Sequence, residues 1–171
     1  MSETYTVAFL VENRPGVLFN ISNLFRRKNF NINSITAGSV LDAETVRITI
    51  VVQADARGVN QVVEQLDKMV DVFEAKRLDP MRSVIRELAL VKLTTTDPWA
   101  REEAVRLINE HHGSILNIEP DNLIAEVTGE SQEIDAFLEL VKPLGVEEVS
   151  RTGVTALEKG RLRLEKGENL W

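Results

Sequence analysis

Residues 4–38 read TYTVAFLVENRPGVLFNISNLFRRKNFNINSITAG, and the fold is decided by the change of apolar period inside that stretch. Tyr5, Val7, Phe9 and Val11 alternate with Thr6, Ala8 and Leu10, a period of two that predicts a strand with two fairly apolar faces. The strand stops at Glu12-Asn13-Arg14-Pro15-Gly16. Val17, Leu18, Ile21, Leu24 and Phe25 then fall at helical spacing, with Asn20, Asn23, Arg26 and Arg27 on the opposite face, so an amphipathic helix ends near Lys28-Asn29. A second strand covers about residues 31–40 and turns at Asp42-Ala43-Glu44. Val46, Ile48, Ile50 and Val52 alternate in a third strand, closing a hairpin. Val59, Val62, Val63, Leu66 and Met69 mark another helix, and residues 70–78 a last strand before Asp79-Pro80. The order is βαββαβ.

Working outward, the same order returns. Residues 86–94 read as a strand, and residues 98–111 as a helix with Ala104, Val105 and Ile108 inward. Residues 114–118 and 123–128 form a hairpin around Glu119-Pro120-Asp121-Asn122. Ile134, Phe137, Leu138 and Val141 mark a helix, and residues 146–149 the final strand. The expectation is an α+β protein of two ferredoxin-like βαββαβ domains with antiparallel sheets. The division is 1–79, a linker at 80–85, a second domain at 86–157 and a charged tail at 158–171, EKGRLRLEKGENLW, whose lack of apolar period predicts fraying or a partner. A length of 171 residues accommodates two domains of about 75 to 85 residues.

Composition excludes several classes. With 43% hydrophobic and 27% charged residues the chain is an ordinary globular protein. A net charge of -7 argues against nucleic acid, whose phosphates need a concentrated basic surface. The absence of cysteine removes disulfides and thiolate chemistry and fits a reducing compartment, so the cytoplasm is expected. No basic leader precedes an apolar stretch and no segment approaches the roughly 18 apolar residues of a membrane span, so neither export nor membrane insertion is expected.

No catalytic constellation emerges. His111 and His112 precede Gly113 at a helix end, where the dipole favours a cation and glycine supplies the left-handed cap. No metal-ligand set accompanies them. Glu102-Glu103 and Glu147-Glu148 are sequence neighbours and do not converge as an acid/base pair, and no GxSxG elbow exists. The turn Asn13 to Leu18 is different. A strand-to-helix turn offers free backbone N–H groups at the positive end of a helix, a cradle for a carboxylate. Gly16 admits a ligand without a Cβ in the way and Asn13 adds an amide. The plainer alternative is that Pro15-Gly16 punctuates the turn and Asn13 caps the helix. In Asn29-Phe30-Asn31-Ile32-Asn33, three asparagines alternate with apolar residues. Asparagine is poor strand material, so they form a turn or face a ligand. Two copies paired edge to edge would set the turn of one against this segment of the other, giving a zwitterion donors on one side and acceptors on the other.

The run VENRPGVLFNISNLFRRKNFNINSITAG resembles the opening of the ACT domain, a small-molecule sensing module, in the regulatory subunits of acetolactate synthase (acetohydroxyacid synthase). Residues 86–93, RELALVKL, and Arg151-Thr152-Gly153-Val154 resemble the part of those subunits beyond the ACT domain; the resemblance covers about residues 4–156. It implies a non-catalytic subunit whose ACT domains pair in a homodimer through an eight-stranded sheet and bind valine at the interface. Asn13, Gly16, Val17 and Leu18 would hold the carboxylate, and Asn31 with Ile32 of the neighbouring chain would close the site. Proline before Gly16 removes one N–H, so contacts from Arg14 and Pro15 are not expected. The partner implied is the large catalytic subunit, which would carry thiamine diphosphate, magnesium and FAD; this chain would hold no cofactor or metal. It would activate that subunit in branched-chain amino acid (valine, leucine, isoleucine) biosynthesis and confer feedback inhibition by valine. The alternatives are a free-standing ACT-type sensor regulating another enzyme or a transcription factor, for which no DNA-binding element is visible, and an enzyme on the same fold.

Overall fold

The computed structural model describes residues 3–166. The element order is β1 (Glu3–Glu12), α1 (Val17–Arg27), β2 (Asn31–Ser39), β3 (Thr45–Ala54), α2 (Ala56–Asp67), β4 (Val72–Leu78), β5 (Ser83–Thr94), α3 (Pro98–Glu110), β6 (Ser114–Ile118), β7 (Asn122–Gly129), α4 (Ser131–Val141), β8 (Val146–Arg151) and β9 (Thr155–Glu158). The chain divides into two compact units. One takes the chain up to Ile85 and again from Gly153; the other is Arg86–Thr152.

In the first unit four antiparallel strands lie in the order β2-β3-β1-β4. The period-two stretch puts Val7, Phe9 and Val11 on one face with Ile48, Ile50 and Val52 of β3. Helices α1 and α2 cover that face with Val17, Ile21, Leu24, Phe25, Val59, Val62 and Leu66. Each such side chain contributes about 1.5–3 kcal/mol on leaving water. Asp55 starts α2 by accepting from the Gly58 N–H at 2.6 Å, a cap that satisfies one of the four orphan donors of a helix start.

The other face of β1 carries Ala8 and Leu10, and with Val51 and Leu78 they pack against Val154, Ala156 and Leu164. This corrects the sequence division at the C-terminus. Residues 153–157 belong with the first unit rather than the second, and residues 158–166 are a packed strap rather than a frayed tail. The physical reason is the second apolar face of β1: Leu10 is 1% exposed and Leu164 3%, a match between distant segments that no local period announces. The strap is tied by the Lys159 N–H to the Arg82 carbonyl at 2.7 Å, Arg47 Nη2 to the Ala156 carbonyl at 2.8 Å, and Lys166 Nζ to Asp42 at 3.3 Å. The part of the expected tail at 167–171 lies outside the described residues. The segment expected as a linker holds a short 3-10 turn, Pro80–Arg82, before β5 begins at Ser83.

The second unit repeats the topology as β6-β7-β5-β8. Ala89, Val91, Leu93, Leu123, Ala125 and Val127 face Ala104, Leu107, Ile108, Ile134, Phe137 and Val141. On α3 it is Leu107 that is buried, while Val105 is only half-buried, because the inward stripe runs at 104, 107 and 108. Asp97 caps α3 through the Ala100 N–H at 2.9 Å, and the Glu133 carboxylate accepts the Glu130 N–H at 2.7 Å to start α4. Glu87, 7% exposed, is held by Arg151 and by the Ser131 hydroxyl. The helix α3 terminus also departs from expectation. His112, with φ 55°, is the left-handed residue, and Gly113 is not; a Cβ on Gly113 would meet the Glu126 carbonyl and Ile108 Cγ2, each at 2.9 Å. Glycine is needed there for close approach, not for its dihedral freedom. His111 Nδ1 sits 2.9 Å from the Leu107 carbonyl and its ring packs against Phe137.

Candidate functional site

The turn between β1 and α1 is open. Gly16 is the N-cap of α1 at φ 90°, no side chain caps the helix, and the first turn has no acidic residue. A residue with a Cβ is strained at such a φ, yet nothing lies within 4 Å of the position a Gly16 Cβ would take. Glycine here keeps a path to the helix end clear. Val17 N–H reaches only the Arg14 carbonyl at 3.4 Å, a long bond, and the N–H groups of Leu18 and Phe19 find no acceptor among the described residues. Free N–H groups at the positive end of a helix dipole favour an anion.

Asn13 is not the helix cap. Its Nδ2 donates to the Ala43 carbonyl at 2.8 Å and its backbone N–H to the Glu44 carbonyl at 2.7 Å, so the β2–β3 turn fixes it in place. One amide N–H and the Oδ1 atom are left for another partner. Arg14 pairs with Glu12 at 2.8 Å. A cavity of about 520 Å3 opens beside the turn, lined by Glu12, Asn13, Arg14, Ala43, Glu44, Phe73 and Lys166. Leu18 is half-exposed, whereas the Val17 side chain is buried in the core, so Val17 can offer only its backbone to a ligand.

Asn31 and Ile32 begin β2, the edge strand. Asn31 is exposed; Ile32 is half-buried and packs against the core. Asn29 takes the left-handed conformation, φ 56°, that ends α1. Asn33 is the extra residue of a β-bulge, skipped between the pairs Ile32–Val52 and Ser34–Val51. The three asparagines thus do three different things. Two features escaped sequence reasoning: the bulge, and Phe19 beside Leu18, a 69% exposed aromatic on α1.

Within one chain the two halves of the expected site do not meet. Glu12 pairs with Thr45 at one end of β3 and Asn31 with Gln53 at the other. At about 3.3 Å per residue the separation is roughly 26 Å along the sheet, several times the length of an amino acid. Among the described residues there is no group of three or more potential metal ligands, and no helix is long and apolar enough to cross a membrane.

Residues 7–74 match the family model described as AHAS small subunit-like ACT domain, and residues 86–160 the model described as small subunit of acetolactate synthase. The probable acetolactate synthase small subunit of Methanothermobacter thermautotrophicus is 40% identical over 92% of this chain and 94% of its own length. The chain belongs to the acetolactate synthase small-subunit family. The family member from Bacillus subtilis is 39% identical, with 90% of each chain covered. The crystal structure of the acetolactate synthase small subunit from Thermotoga maritima superposes with a TM-score of 0.87 at 33% identity, covering 94% of this chain and 99% of that one. The second domain is therefore within the length shared by small subunits of this family, beyond the ACT domain alone.

Proposed function

We propose that this chain is a non-catalytic, cytoplasmic regulatory subunit that binds a separate acetolactate synthase catalytic subunit, raises its activity, and confers inhibition by valine bound between paired ACT domains. Family membership supports the partner. The observation that carries the ligand site is the uncapped, unobstructed first turn of α1 at Gly16.

The carboxylate of valine would sit on the N–H groups of Gly16, Val17 and Leu18, with the Asn13 amide beside it. Its other side requires a second copy. If two β2 edges pair antiparallel about their middle, Asn31 of one copy comes opposite Ser39 of the other, next to the turn whose Ala43 and Glu44 carbonyls hold Asn13. The pairing that gives an eight-stranded sheet thereby closes the gap of roughly 26 Å and brings Asn31 and Ile32 to the ligand. Thiamine diphosphate, magnesium and FAD belong, in this reading, to the catalytic partner. Regulation requires two arrangements of the complex with different valine affinity; a coupling of about 1–3 kcal/mol gives a 5- to 150-fold effect.

The test is calorimetric titration of the full chain with valine beside an Asn13→Ala, Asn31→Ala double variant, with co-elution of the catalytic subunit as the second readout. A saturable component of the valine heat that the variant loses is expected. A flat wild-type titration in the presence and absence of the catalytic subunit overturns the sensor role, and absence of co-elution overturns the partner.

A further inference from the structure

The face of the first sheet opposite α1 and α2 holds a cavity of about 600 Å3 between Leu10 and Arg47 of the sheet, Val40 and Leu41 after β2, and the strap at Leu157, Glu158, Leu162 and Leu164. Its apolar lining is unusually open. Leu41 is 91% exposed, Leu157 63% and Leu162 40%, and leucines left this exposed around one hollow mark a surface that covers something.

The polar groups in the lining are Arg47, Glu158 and Arg163. Arg47 Nη2 is used by the Ala156 carbonyl, but its Nε has no acceptor and Glu158 Oε2 has no donor among the described residues, although both atoms are shielded from solvent. Buried polar atoms are almost always paired, so two orphans of opposite kind on side chains that line one cavity point to an absent partner that both accepts and donates, reached by rotation of the two side chains. Burial holds the Arg47 guanidinium below its ordinary range, with the Glu158 charge opposing that shift. A single water occupies about 30 Å3 and would leave the leucine-lined remainder uncovered. The partner therefore has an apolar body as well as two charges.

We propose that this cavity is a second small-molecule site, taking an aliphatic α-amino acid whose carboxylate meets Arg47, whose ammonium meets Glu158 and whose side chain lies among Leu10, Val40, Leu41 and Leu162. The terminal torsion of a glutamate is soft, so Oε2 turns to the ligand at little cost. The site is on the strap side of the sheet and does not share a residue with the Asn13 turn, so it stands or falls apart from the valine reading.

The test uses the full chain carrying Asn13→Ala and Asn31→Ala, which removes the turn as a competing site. The probe is L-norleucine, with hexanoate and pentylamine as counterparts that each lack one charge. Saturable binding of one norleucine per chain is expected, weakened about tenfold or more by Glu158→Gln, as suits loss of a charge-assisted bond. It should be abolished by Leu162→Trp, which fills the cavity from its exposed rim; thermal melts verify that both variants fold. A flat titration, hexanoate binding as tightly as norleucine, or unchanged affinity in both variants overturns the proposal. Norleucine binding to this double variant together with a valine titration that is the same for wild type and double variant would sustain this site and remove only the other.

Discussion

Replacing Leu164 by alanine separates a packed strap from a frayed tail. Leu164 is 3% exposed and sits among Ala8, Leu10, Val51, Leu78, Val154 and Ala156. Leu→Ala removes three carbons at about 0.8 kcal/mol each, roughly 2.4 kcal/mol of lost transfer free energy. A sealed cavity would add to this, but Leu164 also lines the open 600 Å3 hollow, so relaxation and water limit that contribution and the total stays near the low end of the 2–5 kcal/mol range, about 2.5 kcal/mol. For a chain of this length each kcal/mol moves Tm by about 2–4 °C, giving a drop of roughly 5–10 °C in the melting of the chain. The assay is calorimetric melting paired with amide exchange at Lys159, whose N–H is bonded to the Arg82 carbonyl. Detachment of the strap before global melting would show first as faster exchange there. A melt within about 1 °C of wild type with unchanged Lys159 exchange refutes the reasoning, because that is the behaviour of a segment without a docking site.

Other outcomes follow from the second unit and the first strand. Gly113→Ala should destabilise by about 1–3 kcal/mol through the clash with Glu126 and Ile108, while His112→Gly should be neutral to stabilising because it relieves a left-handed dihedral; denaturant titration of the pair checks the order. Glu87→Ala, which removes the buried partner of Arg151 and Ser131, should cost about 1–3 kcal/mol in the same assay, since Arg151 keeps Asp135 at 2.6 Å. Tyr5, the chain's single tyrosine, donates to Glu3 at 2.8 Å. That bond, lost on ionisation, raises its pKa above the ordinary 10. Any stability it contributes is present below that ordinary value and disappears as pH rises through the folded one; tyrosinate absorbance should show Glu3→Gln titrating at lower pH than wild type.

Much of the molecule is legible in the amino-acid order because its signals are local. The switch from period two at Tyr5–Val11 to helical spacing at Val17–Phe25 places β1 and α1, and the same switch after Ile85 places the second unit. The turn at Gly16 is legible as a point of interest, since glycine before an amphipathic helix has few uses. Its meaning is not. Whether Asn13 caps the helix or is held by Ala43 depends on a contact thirty residues away, and the sequence carries no record of that distance.

The sequence by itself determined the elements of both βαββαβ repeats, the absence of thiol chemistry and, through its resemblance, the family, while strand β9 went unread. These rest on neighbouring residues, where period, turn chemistry and composition act over a few bonds. Only the tertiary structure decided that the C-terminal strap returns to the first sheet, that Val17 and Ile32 spend their side chains on the core, and that Arg47 and Glu158 share a cavity. Each of these is a packing choice between segments far apart in the chain, made because β1 presents two apolar faces and the chain must find a cover for both.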